Sequence, residues 1–315
     1  MPADPTRRRA LRILVAAAAA SVAPRSASSQ TEWRGTALGA DVSISFADAE
    51  GAATQAAVAE ILLEIERLEA VFSLQRGDSE LSRLNAASRL ESPSPDLLNV
   101  LSIARMAHAA TLGRFDPTVQ PLWRFFVDWY ARDRGRARPG DEDLAAARAL
   151  VGFGRIRASA AAIELPVGAA LTLNGIAQGY ITDRASALLR RAGFRRVLVD
   201  LGETRALDGR ADGDAWRVGL PDGRRVALQD GALATSAGAA TRFADNGDHH
   251  IFDPVDGRPA RRWDWLAVAH KSAAVADALS TGLYCLAPEA AIKAAGAVSG
   301  VRLWGYSVSG AQVEA

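Results

Sequence analysis

The sequence predicts an α+β fold, and three observations carry that reading. Helical periodicity dominates the first part of the body, short strands separated by glycine turns dominate the second, and the two do not alternate as βαβ units. At 315 residues, 49% hydrophobic and 23% charged, the chain can bury a sizeable core, as one large domain or two closely joined lobes. Disordered and fibrous classes are excluded by the same figures. The formal net charge is +1, and residues 1–28 hold five Arg and one Asp, so +1 less +4 leaves −3 on the remainder. A mildly acidic body argues against nucleic acid as a partner.

Residues 1–30 read as an export signal and linker, and 31–315 as the folded domain. Arg7, Arg8 and Arg9 precede the short apolar run Ile13 to Ala20, and a Pro/Ser-rich stretch follows that could be cut near Ser28. Paired arginines before a weakly apolar core resemble a twin-arginine signal, which predicts a periplasmic destination; the competing reading is an Arg-rich tail. The apolar run is too short to span a bilayer and no Cys follows it to take a lipid, so no stable membrane anchor is expected.

Leu38 to Phe46 alternates as a strand. Val58, Ile61, Leu62, Ile65, Leu68 and Phe72 then mark a long amphipathic helix from about Ala53. Ser79 to Asn85 reads as a turn and short helix, and Asp96 as the cap of a helix running to about Thr111. Gly113 to Leu122 holds two prolines around an aromatic and an Asp, which suits either a ligand wall or a structural turn. Trp129 to Glu142, rich in Arg, Asp and Gly, reads as a solvated excursion. Short strands are predicted at 162–165, 170–173, 196–201, 216–220, 225–228 and 232–235, with a helix over 177–192 between the second and third. Cys285 is the single cysteine; in the run Leu283-Tyr284-Cys285-Leu286 it reads as a buried core thiol.

Chemistry concentrates in two places. His249-His250-Ile251-Phe252-Asp253-Pro254 begins a loop that prolines keep from helix, and Ala276 to Thr281 reads as a helix start. On that helix Asp277 and Thr281 lie four apart on one face with Ser280 beside them. A carboxylate and hydroxyls suit a hard cation such as magnesium, whereas the plain reading has Asp277 complementing the helix dipole. Asn174-Gly175-Ile176-Ala177-Gln178-Gly179-Tyr180 places two glycines at a strand-to-helix junction, where backbone can approach a phosphate or metal or simply turn. Neither a Rossmann fingerprint nor a Walker loop is present.

Taken in order, these pieces resemble the ApbE family of flavin transferases, over essentially the whole chain beyond the signal. The matching elements are Leu38-Gly39-Ala40, Ser79-Glu80 to Asn85, Phe115 to Val119, Asn174 to Tyr180, Val199 to Gly202, Ala234-Thr235-Ser236, His250 to Pro254 with Gly257 and Pro259, and Ala276-Asp277 with Thr281. The resemblance implies two-lobed mixed or antiparallel sheets flanked by helices. It further implies magnesium-dependent transfer of FMN from FAD to a Ser or Thr hydroxyl of an acceptor flavoprotein, with AMP released. Magnesium would be held by the Gly175 carbonyl and by Asp277 and Thr281, with Ser280 adjacent. FAD contacts would fall on Leu38, Arg114, Phe115, Asp116, Gln178 and Ile251, and His250 would serve as the base. Gln178 stands where the family commonly has Lys and Thr172 where it has Asp, which suggests a neutral hydrogen-bonding pair in place of an ion pair. A passive FAD-binding protein and an FAD hydrolase are the alternative functions.

Overall fold

A computed structural model describes residues 31–315 apart from Gly39, Arg132, Arg134 and Arg136; the expected signal lies outside the described residues. The chain opens with a hairpin, β1 (Thr31–Ala37) and β2 (Ala40–Phe46). Leu38 lies in its turn with φ 56, so the strand expected from Leu38 starts two residues later, where the backbone has left the left-handed region. α1 (Ala52–Phe72) buries Val58, Ile61, Ile65 and Leu68 as its periodicity requires. α2 (Glu80–Ala87) is capped by Ser79, and α3 (Pro95–Ala110) by Ser94, whose hydroxyl accepts from Leu97 N at 3.2 Å. Asp96, expected as that cap, instead sits in the first turn and accepts from the Tyr180 hydroxyl at 2.7 Å.

α4 (Gln120–Tyr130) and α5 (Asp141–Ala149) flank the Arg-rich excursion and take in both of its ends. Three short strands, β3 (Arg89–Glu91), β4 (Arg157–Ala158) and β5 (Ala162–Glu164), form a small sheet in the order β3-β5-β4. The strand expected at Ala170–Leu173 joins no ladder. Asn85 takes the place of a neighbouring strand there: its amide donates to Leu171 O at 2.8 Å and its oxygen accepts from Leu171 N at 2.7 Å. α6 (Ala177–Arg191) follows as expected.

The main sheet has eight strands in the order β1-β2-β6-β7-β10-β13-β14-β15, every pair antiparallel. Its later members are β6 (Val197–Asp200), β7 (Thr204–Leu207), β10 (Gly231–Ser236), β13 (Trp263–His270), β14 (Arg302–Ser307) and β15 (Gln312–Glu314). Alternation along the strands divides the core. Ala234, Leu266, Val268 and Leu303 point into the larger cluster, where α7 (Ala273–Tyr284) packs on β10 and β13 and against α6, and α6 against α1. Leu233, Trp265, Ala267 and Trp304 point the opposite way, onto the hairpin of β8 (Trp216–Gly219) and β9 (Arg225–Leu228). A third cluster joins Leu122, Phe126 and Leu144 to Phe243 and Phe252. It anchors the small hairpin of β11 (Phe252–Asp253) and β12 (Arg258–Pro259). α8 (Pro288–Gly296) packs against β14.

The α+β class and the helix-flanked antiparallel sheets are thus as expected. α7 begins at Ala273 rather than Ala276, because Ser272 caps it and accepts from Val275 N. Asp277 and Thr281 therefore lie inside a helix that is buried along most of its length, not at its exposed first turn.

Candidate active site

A close backbone contact builds the centre. A Cβ on Gly179 would lie 2.3 Å from the Ala273 carbonyl oxygen, so only glycine lets α6 meet α7 there. The contact turns the Gly179 N–H onto Asp277, whose Oδ2 accepts at 3.1 Å. A Cβ on Gly175 would lie 2.8 Å from Thr281 Oγ1, so the turn that leads into α6 sits directly against the Thr281 hydroxyl. Ser280 Oγ donates to the Asp277 carbonyl at 3.0 Å and lies 2.8 Å from Ser236 Oγ at the end of β10; Ser236 Oγ is 3.5 Å from Thr281 Oγ1. Gly175, Asp277, Ser280 and Thr281 are thus brought together by residues about a hundred positions apart.

Burial dominates the electrostatics. Desolvation pushes Asp277 up to about 7, opposed only by the Gly179 N–H. Glu203, also buried, is pushed well above the usual carboxylate range by desolvation first and then by the charges of Asp277 and Asp200. Desolvation likewise raises Asp200. Among the described residues no cationic side chain counters Asp277 or Glu203. Sequence reasoning missed Glu203, and placed Ser236 in a matching hydroxyl-bearing element without giving it a role in the site. The left-handed turn at Gly202, φ 100, was the available signal for Glu203, since it reverses the chain and carries the next residue inward from the strand end.

The two adjacent histidines play different parts. His249 is buried with both ring nitrogens engaged: Nε2 is 2.7 Å from the Ala260 carbonyl and so carries the proton, while Nδ1 accepts from Ile251 N at 3.2 Å. Burial lowers it to about 4. His250 is half-buried and places Nδ1 3.2 Å from the Thr241 carbonyl. A carbonyl only accepts, so the proton sits on Nδ1 and the Nε2 lone pair is left free. Desolvation lowers His250 as well, which favours the neutral ring.

Arg114 pairs with Asp253 and ties its loop to the His250 loop. Phe115 is buried where a Cβ on Gly282 would touch it, one residue past Thr281. Asp116 accepts from Thr118 N at 2.8 Å within its own turn and from Phe153 N at 3.1 Å across 37 positions, which fixes the loop. Ile251 is buried and joins the His250 loop to Ala260, whose N donates to its carbonyl at 2.9 Å. Gln178 lies over Gly202, where a Cβ would come within 2.6 Å of its Nε2. It does not bond to Thr172, whose Oγ1 accepts from Asn174 N at 3.3 Å, so the expected neutral pair is not formed. Leu38 packs partly buried against the main core, and no hydrogen bond joins it to this constellation among the described residues. Cys285 is a buried thiol, as expected, donating to Phe252 O at 3.4 Å.

The ApbE family model matches residues 38–302. The chain belongs to the ApbE family. An FAD:protein FMN transferase of Vibrio cholerae is 30% identical over 279 residues, 82% of each chain, and one of Haemophilus influenzae is 28% identical over 75% of this chain and 74% of its own. Among solved structures, the flavin transferase ApbE from Vibrio cholerae aligns with a TM-score of 0.77 at 27% identity, covering 91% of this chain and 97% of that one. The ApbE protein of Thermotoga maritima aligns with a TM-score of 0.80 at 25% identity and the same coverage. Gly175, Asp277 and Thr281 form an oxygen-donor cluster in this ApbE chain, and His250 lies on the loop that Asp253 ties to Arg114.

Proposed function

We propose that this chain transfers FMN from FAD to a Ser or Thr hydroxyl of an exported acceptor flavoprotein, releasing AMP, in a magnesium-dependent reaction. The observation that carries the reading is the oxygen-donor set on and beside α7: a buried Asp277 carboxylate, Thr281 one turn later with its hydroxyl against Gly175, and among the described residues no cationic side chain acting on that carboxylate. A hard cation takes carboxylate, carbonyl and hydroxyl oxygen and leaves its remaining positions to substrate phosphates, which this donor set would suit. Bound there, magnesium would supply charge neutralisation on the pyrophosphate.

The chain's own residues would do the rest. His250, neutral and with Nε2 free, would accept the proton of the acceptor hydroxyl as its oxygen bonds to the FMN phosphorus. The bond from that phosphorus to the bridging oxygen breaks, and AMP leaves with that oxygen. The Arg114–Asp253 pair would hold the His250 loop against the flavin side of the site. Residues 1–30 would direct the protein to the periplasm by the twin-arginine route. No helix among the described residues is long and apolar enough to cross a membrane.

The test is incubation of purified protein with FAD, magnesium and a candidate periplasmic acceptor, read by intact mass and by AMP release. An FMN mass increment on the acceptor with AMP formed in equal amount is the expected result. FAD bound without either product would replace the transferase with a binding protein, and AMP released without acceptor labelling would make it a hydrolase.

A further inference from the structure

Away from the transfer centre, a cavity of about 280 Å³ opens between α6, β7 and the start of α7. Asp183, Ser186 and Arg190 reach it from one face of α6, at the three- and four-residue spacing of neighbouring turns. Arg205 and Leu207 reach it from alternate positions of β7, and Lys271 from the turn before α7. Of the three cationic side chains Arg190 pairs with Asp230 and Arg205 with Asp183, so one positive charge, that of Lys271, is uncompensated.

Two atoms in this wall lack partners. Ser186 is 2% exposed and its Oγ makes no hydrogen bond, and Arg205 Nε is buried and equally unpartnered. Arg205 is otherwise engaged, pairing with Asp183 and donating to the Lys271 carbonyl. Asp183 is fully occupied too, accepting from Ser272 Oγ at 2.6 Å and from Ala273 N at 2.9 Å. Asp183, the acceptor at hand, is therefore held by four donors and does not reach the remaining ones. A buried hydroxyl and a buried guanidinium N–H without acceptors are rare in folded proteins and call for an acceptor from outside the chain, a water or a ligand. Lys271 is exposed at the mouth and makes no ion pair among the described residues.

We propose that this cleft is a second anion site, separate from the transfer centre, that takes a phosphate group, either free or as a phosphate monoester. Ser186 Oγ, Arg205 Nε and Lys271 Nζ offer donors from three elements, and a tetrahedral phosphate has enough oxygens to accept from all of them. A single water could accept from the two buried donors but would leave the positive charge unbalanced. The site lies about one and a half turns of α7 before Asp277, counted from Lys271. It rests on none of the residues assigned to transfer.

The experiment is thermal unfolding of the full folded protein, saturated with FAD and magnesium so that the transfer centre is filled, and titrated with sodium phosphate against a sodium chloride control of equal ionic strength. Wild type should gain about 3 °C at roughly ten times the dissociation constant. Lys271→Ala and Ser186→Ala should lose most of that gain while unfolding without phosphate at or above the wild-type temperature, since Ser186→Ala removes only an unpartnered hydroxyl. Transfer by Lys271→Ala without phosphate should equal wild type, so the fate of this site is read separately from that of the transferase. AMP in place of phosphate separates the sources: a larger gain at equal concentration assigns a nucleotide monoester, and an equal or smaller one assigns free phosphate. No gain in wild type beyond the chloride control, or the same gain in both variants, overturns the proposal.

Discussion

His249 makes this protein acid-sensitive in a way that can be worked out from its surroundings. The ring is 6% exposed and is lowered from 6.5 to about 4, chiefly by desolvation and next by its neighbour His250. Above about pH 6.5 the imidazole is neutral in both folded and unfolded chains, and its contribution to stability is fully present. As pH falls from there towards 4, the unfolded chain binds a proton that the folded chain refuses, so stability is lost. Integrated between about pH 7.5 and about pH 4.5, the single group costs about 2.5 kcal/mol. Other groups titrate over the same range: burial also lowers His250 and His270, which adds to the loss, while Asp277 and Glu203 are raised and oppose it. The quantity to measure is therefore a difference between wild type and His249→Gln, from urea unfolding at the two pH values. At the upper pH the variant should be less stable by roughly 1–3 kcal/mol, because the bonds to Ala260 O and Ile251 N are disturbed. At the lower pH the gap should close or reverse, since the variant has no imidazole to charge. A constant gap at both pH values would refute the linkage.

His250→Ala should leave FAD affinity within a few-fold of wild type and cut FMN transfer by at least ~100-fold; loss of FAD binding in step with transfer, by equilibrium titration, would make His250 a ligand contact. Asp277→Ala should abolish magnesium-dependent turnover, since the proposed set loses its charged donor; wild-type turnover that still requires magnesium would remove Asp277 from the site. Gly179→Ala drives a methyl into the Ala273 carbonyl, 2.3 Å away, and should destabilise the fold by more than ~3 kcal/mol in denaturant titration; a loss under ~1 kcal/mol would show that the helices can part without cost. Replacing Arg7 and Arg8 by Lys should hold the protein in the cytoplasm, checked by cell fractionation, and unimpaired export would point to an unfolded-chain route.

Residue order alone determined the α+β class, the long first helix and the strands β6, β8, β9 and β10, because the periods of 3.6 and 2 are local properties that a short window records; β7 and β11 to β15 were not foreseen. The same holds for Cys285, whose apolar neighbours already place it inside. The motif order was equally legible and placed Gly175, Asp277 and His250 in one family before any fold was known. Tertiary structure decided what local pattern cannot contain. That Asn85 stands in for a strand beside Leu171 depends on a contact across 86 positions, and it removed a strand that β-propensity alone suggested. That His249 is locked while His250 keeps a free nitrogen depends on the carbonyls of Ala260 and Thr241, which no spacing between adjacent histidines reveals. Glu203 joins Asp277 only because Gly202 reverses the chain at the edge of α6 and the Gly179 contact seats α7 beside it. The physical reason is common to all three. Burial and the pairing of distant donors set the charge state and free lone pairs of a site, and both arise only once the layers have packed.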